Sequence, residues 1–286
     1  MAGVVGASFI VSVGDLLVDV VCTLRDPLRR GTDAFSTNTF RQGGSAANVA
    51  VAASRAGASV RFVGGVGDDV FADFLICSMV DAGIEVCAPR YCAATTGTVV
   101  VLVEPDGERT MAPDRGASAL LSPPDRAWLL NASVVHIPLY AFEVEPLAST
   151  VLTLAGWARE LGIAVSVDLS AVSLLEKLGI ERIDSLAMEL RPNLVFANRD
   201  ESAVAGAFRK AGLFVEKNGP DPVRLFADGS LFATLDVPVV EGVVDTTGAG
   251  DSFAAGYLWA YQRGEDPVSC VRSGSSCAGE LLTRGK

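Results

Sequence analysis

Along most of this chain, short runs rich in β-branched residues alternate with stretches of helical character. Five runs read as strands: FIVSVGDLLVDVV (9–21), VRFVGGVG (60–67), SVVHIPL (133–139), IAVSVDL (163–169) and LVFAN (194–198). Around them, residues 48–57, 71–83, 147–162 and 251–263 read as helices that each end near a glycine or a basic residue. Strands that are apolar on both faces must be covered on both. Parallel neighbours also need a long crossover, so the alternation predicts an α/β fold with a mostly parallel sheet between two layers of helices.

Two segments break the pattern, 20–42 and 94–112. In the second, TTGTVVVLVEPDGERTMA reads as strand, turn at Pro105-Asp106-Gly107, strand, and a hairpin of this kind has to lie outside a parallel sheet. Both segments are therefore expected in a small protruding sheet that covers a site. With 286 residues, half of them hydrophobic, the chain can bury roughly three quarters of its unfolded surface, and a single domain over 1–286 is expected. The formal net charge of -11 argues against nucleic acid and anionic membranes as partners, though not against a phosphorylated metabolite, which backbone amides at a helix N-terminus can bind whatever the net charge.

Six cysteines without a CxxC pair and a lone His136 provide no zinc spacing, and reduced thiols fit a cytoplasmic protein. Cys270 and Cys277, seven apart, share one helix face and read as packing residues. Asp15 and Asp19 interrupt the apolar N-terminal run well short of membrane-spanning length, so it reads as a first buried strand.

Three segments carry chemistry. In VVDTTGAGDSFAAGYLWA (243–260), the small residues Gly248, Ala249 and Gly250 precede Asp251 and an apolar helix, so backbone N–H groups converge there as an anion hole. A carboxylate at such a mouth either accepts a proton from a hydroxyl attacking a phosphoryl group or serves as the helix N-cap, and both readings stay open. In RQGGSAANVAVAASRAG (41–57), Gly43 and Gly44 permit close backbone approach, while Asn48 offers donors and an acceptor to a polyhydroxyl ligand. A Rossmann loop is the competing reading, but the GxGxxG spacing is absent. In LVFANRDES (194–202), Asn198 and Glu201 lie three apart at the end of a strand. They face one side if a helix begins there, suited to one hydrated magnesium ion or simply to capping.

Together these segments resemble the ribokinase-like, or PfkB, family of carbohydrate and nucleoside kinases. GGSAANVAVAASRAG is similar to its N-terminal signature, DTTGAGDSFAAGY to its C-terminal signature, and NRDE at 198–201 to its NxxE motif; GDLLVD, GGVGDD and ERTMAPDRGAS fit in order and separation. The resemblance implies a three-layer α/β/α sandwich with a small β-sheet lid, ATP as donor, and a sugar or nucleoside hydroxyl as acceptor. It implies Asp251 as general base and Gly248, Ala249 and Gly250 as the anion hole. Asp19, Gly43, Gly44 and Asn48 would bind the acceptor, and Asn198 and Glu201 would organise Mg2+ and the phosphates. Asp245 and Thr247 would belong to a monovalent-cation loop that takes K+, and lid strands that pair between protomers would make a homodimer.

This chain departs from the pattern between Glu201 and Lys217, where many relatives carry a longer helix and strand. The resemblance still implies that Lys217 and Gly219, in the stiff KNGPDPV loop, shape the nucleotide side. The chain also stops at TRGK, where some relatives continue into a strand that completes the cation loop. Among the remaining residues, His136 in an apolar run reads as structural, Asp168 as a site or turn residue at a strand's C-terminal end, and Arg109 and Arg115 as solvated or as clamps for an anionic substrate. A nucleoside acceptor would need a base slot, for which Phe35, Phe40 and Tyr140 are the candidates.

Overall fold

The computed structural model describes residues 8–243 and 245–283. The chain runs β1 Phe9–Val13, β2 Leu17–Leu24, β3 Ser36–Gly43, α1 Ser45–Arg55, β4 Ser59–Val63, β5 Val66–Gly67, α2 Val70–Asp81, β6 Glu85–Cys87, β7 Arg90–Tyr91, β8 Thr96–Val103 and β9 Arg109–Gly116. It continues β10 Ala132–Pro138, α3 Leu147–Glu160, β11 Ala164–Asp168, α4 Val172–Leu178, α5 Ile180–Leu190, β12 Leu194–Asn198, α6 Arg199–Ala203, β13 Leu213–Lys217, β14 Val223–Ala227, β15 Ser230–Leu235, α7 Ala249–Gln262 and α8 Pro267–Thr283.

The main sheet has the order β15-β14-β13-β12-β11-β10-β1-β4-β6. From β6 to β13 neighbouring strands are parallel, and β14 and β15 then extend the edge as an antiparallel hairpin. Alternation along each strand divides the core in two. Val11, Val13, Val135, Ile137, Val165 and Val167 pack with α3 and α5 on one face. Ile10, Val134, Leu194 and Phe196 pack with α1, α2, α7 and α8 on the other. This is the expected α/β/α sandwich.

A separate four-stranded sheet, β3-β2-β8-β9, is the small lid. Its hairpin turns where predicted, with the Glu104 and Gly107 N–H groups donating to the carbonyls of Glu108 and Glu104. The run read as one buried first strand is two. It breaks at Gly14–Leu16, leaving Phe9–Val13 in the main sheet and sending Leu17–Leu24 into the small one, whose strands accordingly begin before residue 20 and end beyond residue 112. Continuous hydrophobicity hid the break, because both halves are apolar for different reasons. The first is covered by helices and the second faces partly onto a cavity.

The main sheet positions the site by its C-terminal edge. Asp15 follows β1, Tyr140 follows β10, Asp168 ends β11, Asn198 ends β12 and Lys217 ends β13, the edge at which open α/β sheets bind ligands. Among the described residues, no helix is long and apolar enough to cross a membrane. His136 is fully buried in β10, its Nδ1 3.0 Å from the Ser166 hydroxyl, and burial lowers its pKa to about 4, so it is a neutral structural residue as expected. Cys270 is buried against the core on α8.

Candidate active site

Between the lid and the sheet edge lies a cavity of about 1090 Å³, larger than one small molecule needs. Asp19, Gly44, Asn48, Asn198, Glu201, Lys217, Gly219, Thr247, Gly248, Ala249, Gly250 and Asp251 all line it, so nearly every residue singled out in the sequence converges there.

Gly248 caps α7 in the left-handed region at φ 76°, a conformation that costs glycine little. Asp251 is thus in the first turn of α7 rather than at its N-cap, and the capping alternative falls away. Its carboxylate turns to the start of α1 instead. The Ser45 hydroxyl donates to Oδ1 at 2.7 Å and Asn48 Nδ2 donates to Oδ2 at 2.9 Å. Burial raises the Asp251 pKa to about 6, against the pull of these two hydrogen bonds. The raised value follows from its place beneath the start of α1 rather than at an exposed cap. Of the three small residues, Ala249 uses its N–H on the Thr246 carbonyl at 3.1 Å. Gly250 and Asp251 follow it in the first turn, where no intrahelical carbonyl reaches the amides.

Lys217 faces this helix start: a Cβ built on Gly250 would lie 3.2 Å from its Nζ. The ammonium donates to Asp168 Oδ2 at 2.6 Å, with side-chain exposures of 14% and 7%. Burial would lower the pKa of Lys217, but the charge and hydrogen bond of Asp168 outweigh it and hold it above the usual lysine range. Beside this pair, burial and the Asp168 charge raise Glu201 to about 7. Asn198 and Glu201 form a capping box: the Asn198 backbone N–H and Nδ2 donate to the two Glu201 oxygens at 2.8 and 2.7 Å, and the Glu201 N–H donates back to Asn198 Oδ1. The capping reading of this pair therefore holds, yet both residues still line the cavity.

Three carboxylates, Asp168, Glu201 and Asp251, share this region with one ammonium. An oxygen-rich, anionic wall of this kind suits a hydrated magnesium ion. Among the described residues, no group of three or more His, Cys, Asp or Glu is placed to hold a metal ion by itself. The Asp245–Thr247 loop is different. Arg109, from β9, donates to Asp245 Oδ1 at 2.7 Å and to the Thr247 hydroxyl, while the Thr247 N–H donates to the same Asp245 oxygen at 2.8 Å. Hydrogen bonding to the guanidinium holds the Asp245 carboxyl well below its usual range. With these oxygens turned to a guanidinium, the pair does not suit a monovalent cation.

Under the small sheet, Asp19 projects from β2 into the cavity, and burial raises its carboxyl pKa. Gly43 makes room for it, since a Cβ there would collide with that carboxylate. Sequence reasoning placed Phe35, Phe40 and Tyr140 near a base slot; Tyr140 lines the cavity, and neither phenylalanine does. Phe35 is 72% exposed, and Phe40 packs on Phe71 at 5.9 Å on the opposite face of the lid. The register sets the pocket face instead: Asp19 opposite Val99, Val99 opposite Pro113 and Val101 opposite Met111 make an aliphatic wall.

Other lining residues went unread. Ser45 hid inside GGSAAN, though its place at the start of a helix was a usable signal. Val237, Val240 and Val243, with Ala278 and Leu282 of α8, form an apolar slot beyond Gly219. They come from an irregular segment and a distant helix, which no local motif joins. The short 201–217 segment is accommodated by α6 and one 3-10 turn at Gly206–Lys210, which still bring β13 alongside β12 with Asn198 opposite Lys217.

The chain matches the model of the pfkB family carbohydrate kinases over residues 7–286. It is 31% identical to a fructokinase of Klebsiella pneumoniae over 233 residues, covering 76% of this chain and 75% of the relative. It is 28% identical to an ATP-dependent ribose-1-phosphate kinase of Halopiger xanaduensis, covering 97% and 92%. The fold superposes on an adenosine kinase of Sinorhizobium meliloti with a TM-score of 0.85 at 20% identity, over 97% of this chain and 94% of that one. With its sandwich, its small separate sheet and its convergent motifs, the chain belongs to the pfkB family of carbohydrate kinases, phosphotransferases with an alcohol group as acceptor.

Proposed function

We propose that the protein transfers the γ-phosphoryl group of ATP to a hydroxyl of a small sugar, with Asp251 as general base. The observation that carries this reading is the buried Asp251 carboxylate, oriented by Ser45 and Asn48 at the N-terminal turn of α7 and faced by the Lys217 ammonium. The acceptor hydroxyl attacks the γ-phosphorus, its proton passes to Asp251, and the bond to the bridging oxygen of ADP breaks. Phosphoryl transfer asks the protein mainly for position and charge stabilisation. Gly248, Ala249 and Gly250 shape the anion hole. The N–H groups of Gly250 and Asp251 and the Lys217 ammonium meet the developing charge, and Asp168 keeps Lys217 in place. Asp19, Gly43, Gly44 and Asn48 hold the acceptor, and Lys217, Gly219 and Asn198 border the nucleotide. Asn198 and Glu201 would hold magnesium through water, and the ion would neutralise phosphate charge.

Because Arg109 occupies the oxygens of Asp245 and Thr247, the reaction runs without potassium. The aliphatic lid wall of Val99, Val101, Met111 and Pro113 favours a second reading, in which it packs on the base of a nucleoside. We place the enzyme in the cytoplasm, as a homodimer paired through lid strands. The deciding experiment is Mg-ATP turnover to ADP against pentoses, hexoses, sugar acids and nucleosides, with Asp251→Asn as control. Acceptor-dependent ADP lost by orders of magnitude in the variant supports the reading, whereas equal turnover by the variant removes Asp251 as base.

A further inference from the structure

A second cavity, of about 290 Å³, lies between α1, α7 and α8, apart from the active site. It runs along α7 from Ser252 to Trp259, seven residues and therefore about 10 Å apart. Ala52 and Ala56 of α1 line one side, and Ser273, Ser276 and Leu281 of α8 line the other. Helix α8 is thus a partition: Ser275, Ala278, Gly279 and Leu282 line the active-site cavity, and the residues between them line this one. At one end the partition is thin, because a Cβ built on Gly248 would lie 3.7 Å from Leu281 Cδ2.

The lining is polarised. At the far end stands Arg55, exposed in the last turn of α1 and without an ion pair among the described residues. The Trp259 Nε1 is at the same end, since a Cβ built on Gly57 would lie 3.9 Å from it. The nearby α1 carbonyls are occupied, those of Ala52 and Ser54 accepting from the Ala56 and Gly57 N–H groups at 3.0 and 2.9 Å, so Arg55 sets the local charge. Arg263 stacks on the Trp259 ring at 4.6 Å and fixes the indole without lining the cavity. The other end holds Ser252, beside Asp251 in sequence and only 6% exposed, and the charge of Glu280, which has a partner of its own. Neither the Trp259 Nε1 nor the hydroxyls of Ser252, Ser273 and Ser276 make a hydrogen bond among the described residues. Buried polar groups are ordinarily satisfied, so the Ser252 hydroxyl, turned to a cavity, points to an occupant.

We propose that this cavity is an accessory, regulatory site for a small sugar phosphate, with the phosphate on Arg55 and the hydroxylated tail toward Ser252. A guanidinium with several neutral donors beside it suits a phosphate monoester, which offers more acceptor oxygens than a carboxylate. The charge of Glu280 keeps the anionic end of the ligand at Arg55. Ala52, Ala56, Leu281 and the indole meet the carbon skeleton, and the volume stands at the small end of the range for small-molecule sites. Because α8 walls both cavities, an occupant bears on the apolar slot beyond Gly219, and the two sites are coupled.

The test titrates the full chain, without nucleotide, with ribose 5-phosphate, inorganic phosphate and ribose, read by tryptophan fluorescence and by calorimetry. Ribose 5-phosphate is expected to bind with a Kd below about 1 mM, at least about tenfold more tightly than either of the other two. Arg55→Gln should weaken it by about tenfold or more. Ser276→Phe, at an exposed position of α8, should fill the cavity and abolish binding. Neither variant should move kcat or the basal KM values by more than about twofold. In the wild type, saturating ribose 5-phosphate should shift the KM for Mg-ATP by about fivefold, and Arg55→Gln should lose that shift. No saturable binding overturns the proposal, and so does binding that both variants leave unchanged, which would put the ligand in the active-site cavity. Inorganic phosphate binding as tightly as the sugar phosphate overturns the ligand class, and binding without a shift in KM overturns the coupling. Because binding is read without turnover, failure of the kinase reading would leave the binding results standing.

Discussion

Replacing Ser45 with alanine isolates what the start of α1 does for Asp251. The Ser45 hydroxyl donates to Asp251 Oδ1 at 2.7 Å, so it favours the ionised carboxylate over the protonated one. A hydrogen bond to a charged group contributes about 1.5–3 kcal/mol, and each pKa unit corresponds to about 1.36 kcal/mol. Because Asp251 retains the bond from Asn48, the lower end applies, and its pKa should rise from about 6 by about one unit. A base works only when unprotonated, so activity falls as pH drops through that pKa. At about pH 6.5, roughly three quarters of wild-type Asp251 is ionised against roughly a quarter in Ser45→Ala, a loss of about threefold that nearly vanishes at about pH 9. The assay is kcat/KM for the acceptor from about pH 5 to pH 9. An acid limb that stays in place or moves down, or a loss equal at every pH, would refute the claim that Ser45 acts through the ionisation of Asp251.

Asp251→Asn should abolish turnover and at the same time stabilise the fold. The folded pKa near 6 lies above the 3.8 of an ordinary aspartate, so ionised Asp251 opposes folding, and the stability it contributes below pH 4 is lost as pH rises through 6. At neutral pH the variant should gain on the order of 1–3 kcal/mol, visible as a Tm a few degrees higher; a lower Tm would contradict the burial argument. Lys217→Met leaves Asp168 buried and uncompensated, and should cost about 3 kcal/mol in denaturant unfolding and at least about 100-fold in kcat. Exchanging potassium for sodium or tetramethylammonium should leave kcat within about twofold, because Arg109 already supplies the local charge at Asp245. A larger dependence would show that the Arg109 contact gives way to a cation. Gly43→Ala should raise the acceptor KM well above tenfold with little change in the KM for ATP, since the atoms nearest its Cβ all belong to the Asp19 carboxylate.

The sandwich was legible because helical crossovers leave a rhythm in the sequence: LVFAN is a strand from its first residue to its last. So were the glycine-rich corners, whose small residues serve the local turns in which they sit. What escaped was non-local. The break at Gly14–Leu16 lies inside one apolar run, and only the pairing of Leu17–Leu24 with both β3 and β8 shows that two sheets share it. The Arg109–Asp245 and Arg115–Asp15 contacts span 136 and 100 residues, beyond any spacing rule. The elevated pKa of Asp251 came from burial under α1, a property of packing rather than of the motif. Phe40 was misplaced for a simpler reason. In a strand the two faces alternate, and its register with Val20 puts it opposite the cavity.

The break at Gly14–Leu16 also has a mechanical side. The lid is strung from the middle of the main sheet by a connection a few residues long, and Asp15 occupies that connection. Asp19 rides on the lid, while Asn48 and Asp251 are carried by α1 and α7. Any tilt of the small sheet about this connection would therefore change the distance between Asp19 and Asp251. The connection is the short arm of a lever whose long arm is the hairpin ending near Arg109. A rotation at the sheet edge would displace the hairpin more than it displaces Asp19, so the width of the cavity entrance and the Asp19–Asp251 separation are geometrically linked.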